Sequence, residues 1–210
     1  MLFFKSKEKL NIESLRSVFE TQKNTLLTLG YPALLGMTPD DFTAALENTW
    51  KLLSEKVADI EITVKGNIPL LIVVEQGVLQ EKIKKIHGHT ELDLHNIKKT
   101  ENASLGPFSI LLDVEDGRKM IAKSPKDALK KFEKEHRFSL TINESIALLT
   151  HYPELLKNHY LISAGSFYSK EQETLPLLWL LDEHGRPELH YAWFHIAHGS
   201  YGTASYKVKF

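Results

Sequence analysis

Residues of the types used in acid–base catalysis gather near the C-terminal end of the sequence. His198 opens the segment HGSYGTAS, which ends at Ser205. A histidine beside a hydroxyl can serve in general acid–base or nucleophilic catalysis. The same composition is typical of a glycine-rich connection between strands, because small residues let neighbouring backbones approach closely. Two interpretations are therefore open: His198 and Ser205 are catalytic, or the segment is structural.

A second group of candidates surrounds the helix that the sequence predicts after Thr141. Glu144 lies three residues after Thr141, where a carboxylate completes a capping box, and it is also a candidate acid or base. Arg137 lies just before that cap, where it could bind an anion at the helix N-terminus or pair with Glu144. Ser166 is a further candidate polar partner.

Three more positions could bind a ligand or a metal ion. Asp113 opens an acidic cluster at a strand end, which could hold a divalent cation or simply form the turn before Gly117. Trp193 lies in an aromatic segment that indicates either sheet core or a stacking platform. His87 and His89 would point the same way in an extended segment, but the spacing supplies no third zinc ligand. No metal or other cofactor is therefore predicted.

Patterns of apolar residues predict the elements that position these side chains. Helical spacing predicts helices over 11–29, 39–56, 79–86, 125–135 and 142–150. Strands are predicted at 60–64, 68–74, 108–114, 119–122, 160–167, 175–181, 188–196 and 203–209. We expect 68–74 to be central and 87–106 to form the longest loop, with turns at 65–67 and 182–185.

The clustering of strands favours an α+β fold over a doubly wound one. We expect an N-terminal helical hairpin packed on a mixed, mostly antiparallel β-sheet with additional helices. We expect residues 1–58 to form the helical N-terminal segment and residues 59–210 the α+β core, and we expect the two to form one compact domain together.

The composition excludes several classes of function. The 210 residues include no cysteine, so thiolate nucleophiles, disulfides and cysteine-bound zinc are excluded. Lys plus Arg total 26 and Asp plus Glu total 27, so a nucleic-acid partner is disfavoured, because phosphate binding relies on a basic excess. The sequence lacks a signal peptide's apolar stretch and any run near the ~20 apolar residues that span a bilayer. We therefore expect a cytoplasmic protein without a membrane partner.

Several short motifs carry a resemblance to a known family. They are LGYPAL at 29–34, DVE at 113–115 with Gly117, Arg137, LT at 140–141, Glu144, Ala147, Pro153, GS at 165–166, LW at 178–179, Trp193 and GTAS at 202–205. From residue 26 onward the chain resembles the bacterial family called domain of unknown function 5701. The resemblance implies a bacterial cytoplasmic domain and assigns no reaction. Tyr206 stands where that family has a small tail with serine or cysteine.

These observations favour a binding or interaction module over an enzyme. The sequence contains no phosphate-binding loop, dinucleotide-binding turn, zinc-binding helix motif or nucleophile elbow. The expected partner is another protein, a second copy of the chain in a homodimer, or a small-molecule ligand at the C-terminal strands. The alternative is a hydrolase or transferase acting on a small anionic substrate, with Arg137 as the anion clamp, His198 as the acid–base residue and Ser205 or Ser166 as its partner.

Overall fold

Helices and strands follow one another in blocks along the chain. The computed structural model describes residues 8–9, 11–57, 61–62, 68–99, 106–168, 173–181 and 185–210. The α-helices are α1 (Ile12–Thr28), α2 (Tyr31–Leu34), α3 (Pro39–Lys56), α4 (Leu79–Lys85), α5 (Pro125–Glu135) and α6 (Ile142–His151). The strands are β1 (Glu8–Lys9), β2 (Glu61–Ile62), β3 (Ile68–Val74), β4 (Lys98–Lys99), β5 (Phe108–Val114), β6 (Phe138–Ser139), β7 (Tyr160–Ile162), β8 (Ser166–Phe167), β9 (Thr174–Leu180), β10 (Pro187–Trp193), β11 (Tyr201–Thr203), β12 (Ser205–Tyr206) and β13 (Val208–Lys209). This is an α+β fold with mostly antiparallel pairing, as predicted.

The N-terminal helices form the expected hairpin and pack on a sheet. Asn11 caps α1 and Thr38 caps α3, each accepting hydrogen bonds from the first turn of its helix. The two helices are tied together by Glu47, which pairs with Arg16 and Lys23. Their apolar faces share one core cluster with strands β3 and β5. The hairpin therefore covers one face of the first sheet.

The first sheet has the order β13-β5-β3, with antiparallel pairing throughout. The prediction that 68–74 is the central strand is wrong, because β5 lies between β3 and β13. β3 is nevertheless buried, since α1 packs on one of its faces and α6 lies against the other. Its continuous apolar sequence reflects cover on both faces and not a central place in the ladder.

The second sheet positions most of the C-terminal aromatic residues. Its order is β10-β9-β7-β11, with antiparallel pairs except for the parallel pair of β11 and β7. The antiparallel pairing of β9 with β10 confirms the predicted hairpin, although 182–184 of its turn lie outside the described residues. One face of this sheet joins the core around α6, and the other carries a smaller apolar cluster near α5.

Three local predictions differ from the structure. The predicted strand at 119–122 is wrong, because Arg118–Met120 forms a 3₁₀ turn after Gly117, whose φ is 98°. The segment after His87 is more ordered than expected: it contains a 3₁₀ turn at Leu94–Asn96, and β4 pairs with β8. The predicted strand at 203–209 is divided among β11, β12 and β13, which pair with three different strands.

Some predictions fall on residues that the structure does not describe. They include the turn at 65–67, the later part of the loop at 87–106, and the domain boundary between 58 and 59. None of the described helices combines the length and apolar composition needed to cross a lipid bilayer.

Candidate functional site

Arg137 is buried at a junction between strands, where it bonds to Asp113 and Ser205. Its Nη1 donates to Asp113 Oδ2 over 2.9 Å, and its Nε donates to Ser205 Oγ over 2.9 Å. Its Nη2 donates to the carbonyl oxygens of Asp113 and Ser205 over 2.5 and 3.2 Å. These residues are 9 %, 2 % and 0 % exposed, respectively. We call this group the arginine junction.

Local backbone structure brings the arginine junction together. Asp113 has a φ of 54°, a left-handed conformation that aspartate tolerates better than most residues. Arg137 follows the C-terminus of α5, and Ser205 exchanges backbone hydrogen bonds with Glu115. Arg137 pairs with Asp113 and not with Glu144, whose cationic partner is Lys209. All the donor nitrogens of the guanidinium are engaged within the fold, so the geometry is that of a structural cross-link.

The N-terminus of α6 holds two more of the candidate residues. Thr141 and Glu144 form the predicted capping box, and Ser166 Oγ accepts a hydrogen bond from Ile142 N over 3.0 Å. The other carboxylate oxygen of Glu144 accepts from Lys209 Nζ over 2.8 Å. Glu144 and Ser166 are 1 % and 0 % exposed. Both side chains therefore satisfy the buried end of a helix.

Lys209 joins Glu144 to Glu75 in the same region. Its ammonium group lies 2.7 Å from Glu75 Oε1, which also accepts from Ser109 Oγ over 2.7 Å. Burial alone would lower the pKa of Lys209, but Glu144 and Glu75 outweigh it and hold that pKa above its ordinary value. The lysine therefore stays charged between two carboxylates.

His198 lies in an exposed segment apart from these buried groups. Its Nδ1 accepts a hydrogen bond from Ser200 N over 3.2 Å, and its ring stacks on Tyr201 with centroids 4.2 Å apart. Within the described residues, it makes no hydrogen bond to Arg137 or Ser205. A catalytic role for His198 stays a prediction, and the structure gives it a different set of neighbours.

Those neighbours belong to a line of rings that crosses the second sheet. Trp179 on β9, Tyr160 on β7 and Tyr201 on β11 stand side by side, with 6.1 Å between the centroids of each adjacent pair. His190 packs on Trp179 at 5.1 Å, and His198 closes the other end. We call these five residues the aromatic row. All except the exposed His198 are half-buried.

Glu188 stands at the β10 end of the aromatic row. It is the cross-strand partner of Trp179, and its Oε2 accepts a hydrogen bond from Trp179 Nε1 over 2.5 Å. The residue is only 8 % exposed. Trp193 lies an odd number of residues from Glu188 on the same strand, so it faces the opposite side of the sheet. It is 53 % exposed and contacts the ring of Tyr191.

Sequence reasoning missed Glu188, Tyr160 and Tyr201 as site residues. A signal was present for one contact, because a hairpin centred on the turn at 182–185 places Glu188 opposite Trp179. No comparable signal existed for Tyr160 and Tyr201, because the pairing of β7 with β9 and β11 joins distant segments.

A groove lies between α1 and α6, away from the aromatic row. It encloses about 180 Å³ and is lined by Ser17, Val18, Thr21, Gln22, Thr25, His151 and Tyr152. Gln22 accepts a hydrogen bond from Ile72 N and donates to Leu70 O and to the hydroxyl of Tyr152. Burial lowers the pKa of His151 to about 4, although its contact with the carbonyl of Ile72 opposes that shift. The groove therefore carries no charged group at neutral pH.

The metal candidates lie beside the second sheet. His87 follows α4 with a φ of 54°, and His89 forms a parallel bridge with Glu188 through its backbone. Among the described residues, no group of three His, Asp or Glu side chains is placed to hold a metal ion. The bridge instead lays this segment along the outer edge of β10.

The fold and these side chains define an α+β protein with buried ion pairs and a half-buried aromatic row on its second sheet. Residues 25–209 match a family of unknown function, DUF5701, and the chain belongs to that family. No curated protein matches the sequence significantly. No solved structure does so either.

Proposed function

We propose that this protein is a binding module and that the aromatic row is its ligand-binding surface. One observation carries the proposal: every strand of the second sheet contributes a half-buried ring to the row. Glu188 on β10 lies at one end of it, opposite Trp179. Aromatic side chains offer large contact faces and have few rotatable bonds, so binding costs little ordering entropy.

The polar groups near the rings support binding with a defined orientation. The carboxylate of Glu188, the imidazoles of His190 and His198, and the tyrosine hydroxyls offer hydrogen-bond partners around an apolar centre. Ligand sites commonly combine an apolar lining with a few polar groups in this way. The expected ligand is an organic molecule with an apolar or planar group that packs on Trp179 and Tyr160.

The buried candidates support catalysis less well. Ser205 is held by Arg137, Ser166 by the first turn of α6, and Glu144 by Lys209. A general acid or a nucleophile must reach its substrate, and these atoms are enclosed by protein. The binding interpretation needs no such access to the interior.

A thermal-shift panel tests the proposal. We expect at least one class among alkylammonium salts, hexoses, nucleosides and proline-rich peptides to raise the melting temperature, because a ligand of the folded state stabilises it. Trp179→Leu should abolish that rise. Trp193→Leu on the opposite face is the matched control and should retain it. The proposal fails if no class raises the melting temperature or if Trp179→Leu responds as the wild type does.

A further inference from the structure

Glu188 differs from every other buried carboxylate that the structure describes. The buried Asp and Glu residues are Asp113, Asp116, Glu144 and Glu188. Asp113 pairs with Arg137, Asp116 with Arg118 and Glu144 with Lys209. Within the described part of the chain, no lysine, arginine or histidine lies within ion-pair distance of Glu188. Among the described residues, the donor to its carboxylate is the neutral indole of Trp179.

An ionised carboxylate without a cation is costly to keep out of water. The fold provides a counter-charge for each of the other buried carboxylates, so the omission at Glu188 is specific to this place. A cation that arrives with a ligand would supply it. The position of Glu188 at the end of the aromatic row puts this open charge beside the proposed binding surface.

The rings next to Glu188 favour an organic cation in particular. The face of an indole or phenol ring attracts a cation, and tryptophan attracts it most strongly. Trp179 and Tyr160 supply two such rings, with a centroid separation of 6.1 Å. Leu181 lies two residues after Trp179, where its backbone still pairs with Arg186, and is 40 % exposed. An apolar side chain at this place suits a cation that carries alkyl groups.

Other ligand classes fit these charges less well. A bare divalent cation needs six or more oxygen ligands, and the row offers one carboxylate. A phosphate-bearing ligand would be repelled by Glu188. A neutral sugar would leave the buried charge without compensation.

We propose, on the basis of the proposed function, that the aromatic row binds a small organic ammonium ion, with Glu188 as its counter-charge. The alkyl groups pack on Trp179, Tyr160 and Leu181, and the positive charge lies between the carboxylate and the ring faces. Glu188 thereby selects a cation from among the flat or apolar molecules that the rings alone would accept.

A matched pair of probes tests the role of charge. Choline has the same shape as 3,3-dimethylbutan-1-ol, and the two differ by one positive charge. Trp179 provides a local signal, because its indole N–H resonance can be followed by ¹⁵N NMR, with Trp50 and Trp193 as internal references. At constant ionic strength, we expect choline to move the Trp179 signal and to bind at least about tenfold more tightly than the alcohol, a ratio typical of one charged contact.

The variant Glu188→Gln isolates the carboxylate. Its amide oxygen can still accept the hydrogen bond from Trp179, so the ring stays in place while the charge is lost. We expect choline binding to weaken by about tenfold or more and alcohol binding to stay unchanged. Glu154→Gln, at a surface position whose side chain is 73 % exposed, is the control and should bind both probes as the wild type does.

Each other outcome separates the two proposals. Equal binding of choline and the alcohol, without dependence on Glu188, overturns the ammonium inference and leaves the row as a binding surface. Absence of choline binding also overturns it, and the thermal-shift panel then decides on the row itself. If a trimethyllysine peptide binds more than tenfold tighter than choline through Glu188, the cation belongs to a protein partner and the small-molecule inference fails.

Discussion

The arginine junction and the aromatic row each contain or adjoin a buried carboxylate, but the partners of the two carboxylates differ. At the junction, Asp113 meets a guanidinium whose donor nitrogens are all engaged. At the end of the row, Glu188 accepts a hydrogen bond from the uncharged indole of Trp179 and lies beside half-buried rings. A network in which every polar group has a partner fixes the relative positions of strands. A buried carboxylate with one neutral donor can still form an ion pair with a ligand. The polar residues that stand out in a sequence can therefore be the structural ones.

The largest effect should follow from breaking the arginine junction. Arg137→Met removes the cation that bonds to the buried Asp113, and we expect the free energy of unfolding to fall by about 3–5 kcal/mol. Urea denaturation measures the change. Lys130→Met, which removes an exposed side chain from a 3.8 Å surface pair, is the control and should change stability by less than about 0.5 kcal/mol.

A double variant distinguishes lost charge pairing from lost packing. Asp113→Asn combined with Arg137→Met removes both charges, so the remaining groups no longer carry an uncompensated charge. We expect the double variant to be more stable than Arg137→Met alone. If it is equally or less stable, the cost of Arg137→Met comes from packing or from backbone contacts, and the electrostatic view of the junction is wrong.

Sequence reasoning predicted the helix that follows the junction but not the contacts of the buried charged residues. Helix α6 and its capping box could be predicted, because Thr141 and Glu144 are three residues apart and their contact is local. The pairing of Arg137 with Asp113 could not, since it depends on how α5 returns the chain to the end of β5. Lys209 reaches Glu144 from the C-terminal strand, and no local pattern encodes that contact either.

The aromatic row was predictable to a similar extent. The hairpin of β9 and β10 followed from alternation and a turn, and it determines the contact of Glu188 with Trp179. The rest of the row depends on a parallel strand pair, because β11 returns to lie beside β7. Such pairings join segments distant in sequence and leave no periodic signature. Local patterns predicted most of β7, β9 and β10, but β11 begins two residues before the predicted strand at 203–209, so Tyr201 lies outside that prediction. The tertiary arrangement placed these side chains in one row.

His151 extends the comparison to a half-buried base that has no carboxylate partner within the described residues. Burial lowers its pKa to about 4, so the folded state keeps the ring neutral where the unfolded chain would already bind a proton near pH 6.5. The unfolded state therefore binds more protons between these values, and stability should fall as the pH drops from about 6.5 to 4. The loss should reach at most about 3 kcal/mol.

Urea denaturation across that pH range checks the role of His151. The variant His151→Gln should show a shallower loss of stability than the wild type. His95→Gln, at an exposed histidine, should follow the wild-type curve. Parallel curves for all three proteins would mean that His151 titrates alike in the folded and unfolded states, and the proposed cost of burying it would be wrong.

The smallest effect, with the opposite sign, is expected at Glu188. In the absence of ligand, Glu188→Gln removes a buried charge that has no cationic partner among the described residues and retains an acceptor for the Trp179 indole, so the free energy of unfolding should rise by about 1 kcal/mol. The junction variant Arg137→Met loses stability because it separates a buried carboxylate from its arginine, whereas Glu188→Gln gains stability because it removes a carboxylate that has no cationic partner among the described residues. Denaturation at pH 7, with Glu154→Gln as the exposed control, measures the difference. A loss of more than about 1 kcal/mol would mean that the fold itself depends on the carboxylate. Glu188 would then resemble Asp113 of the arginine junction, and its charge would be explained by its contribution to the fold, without a ligand.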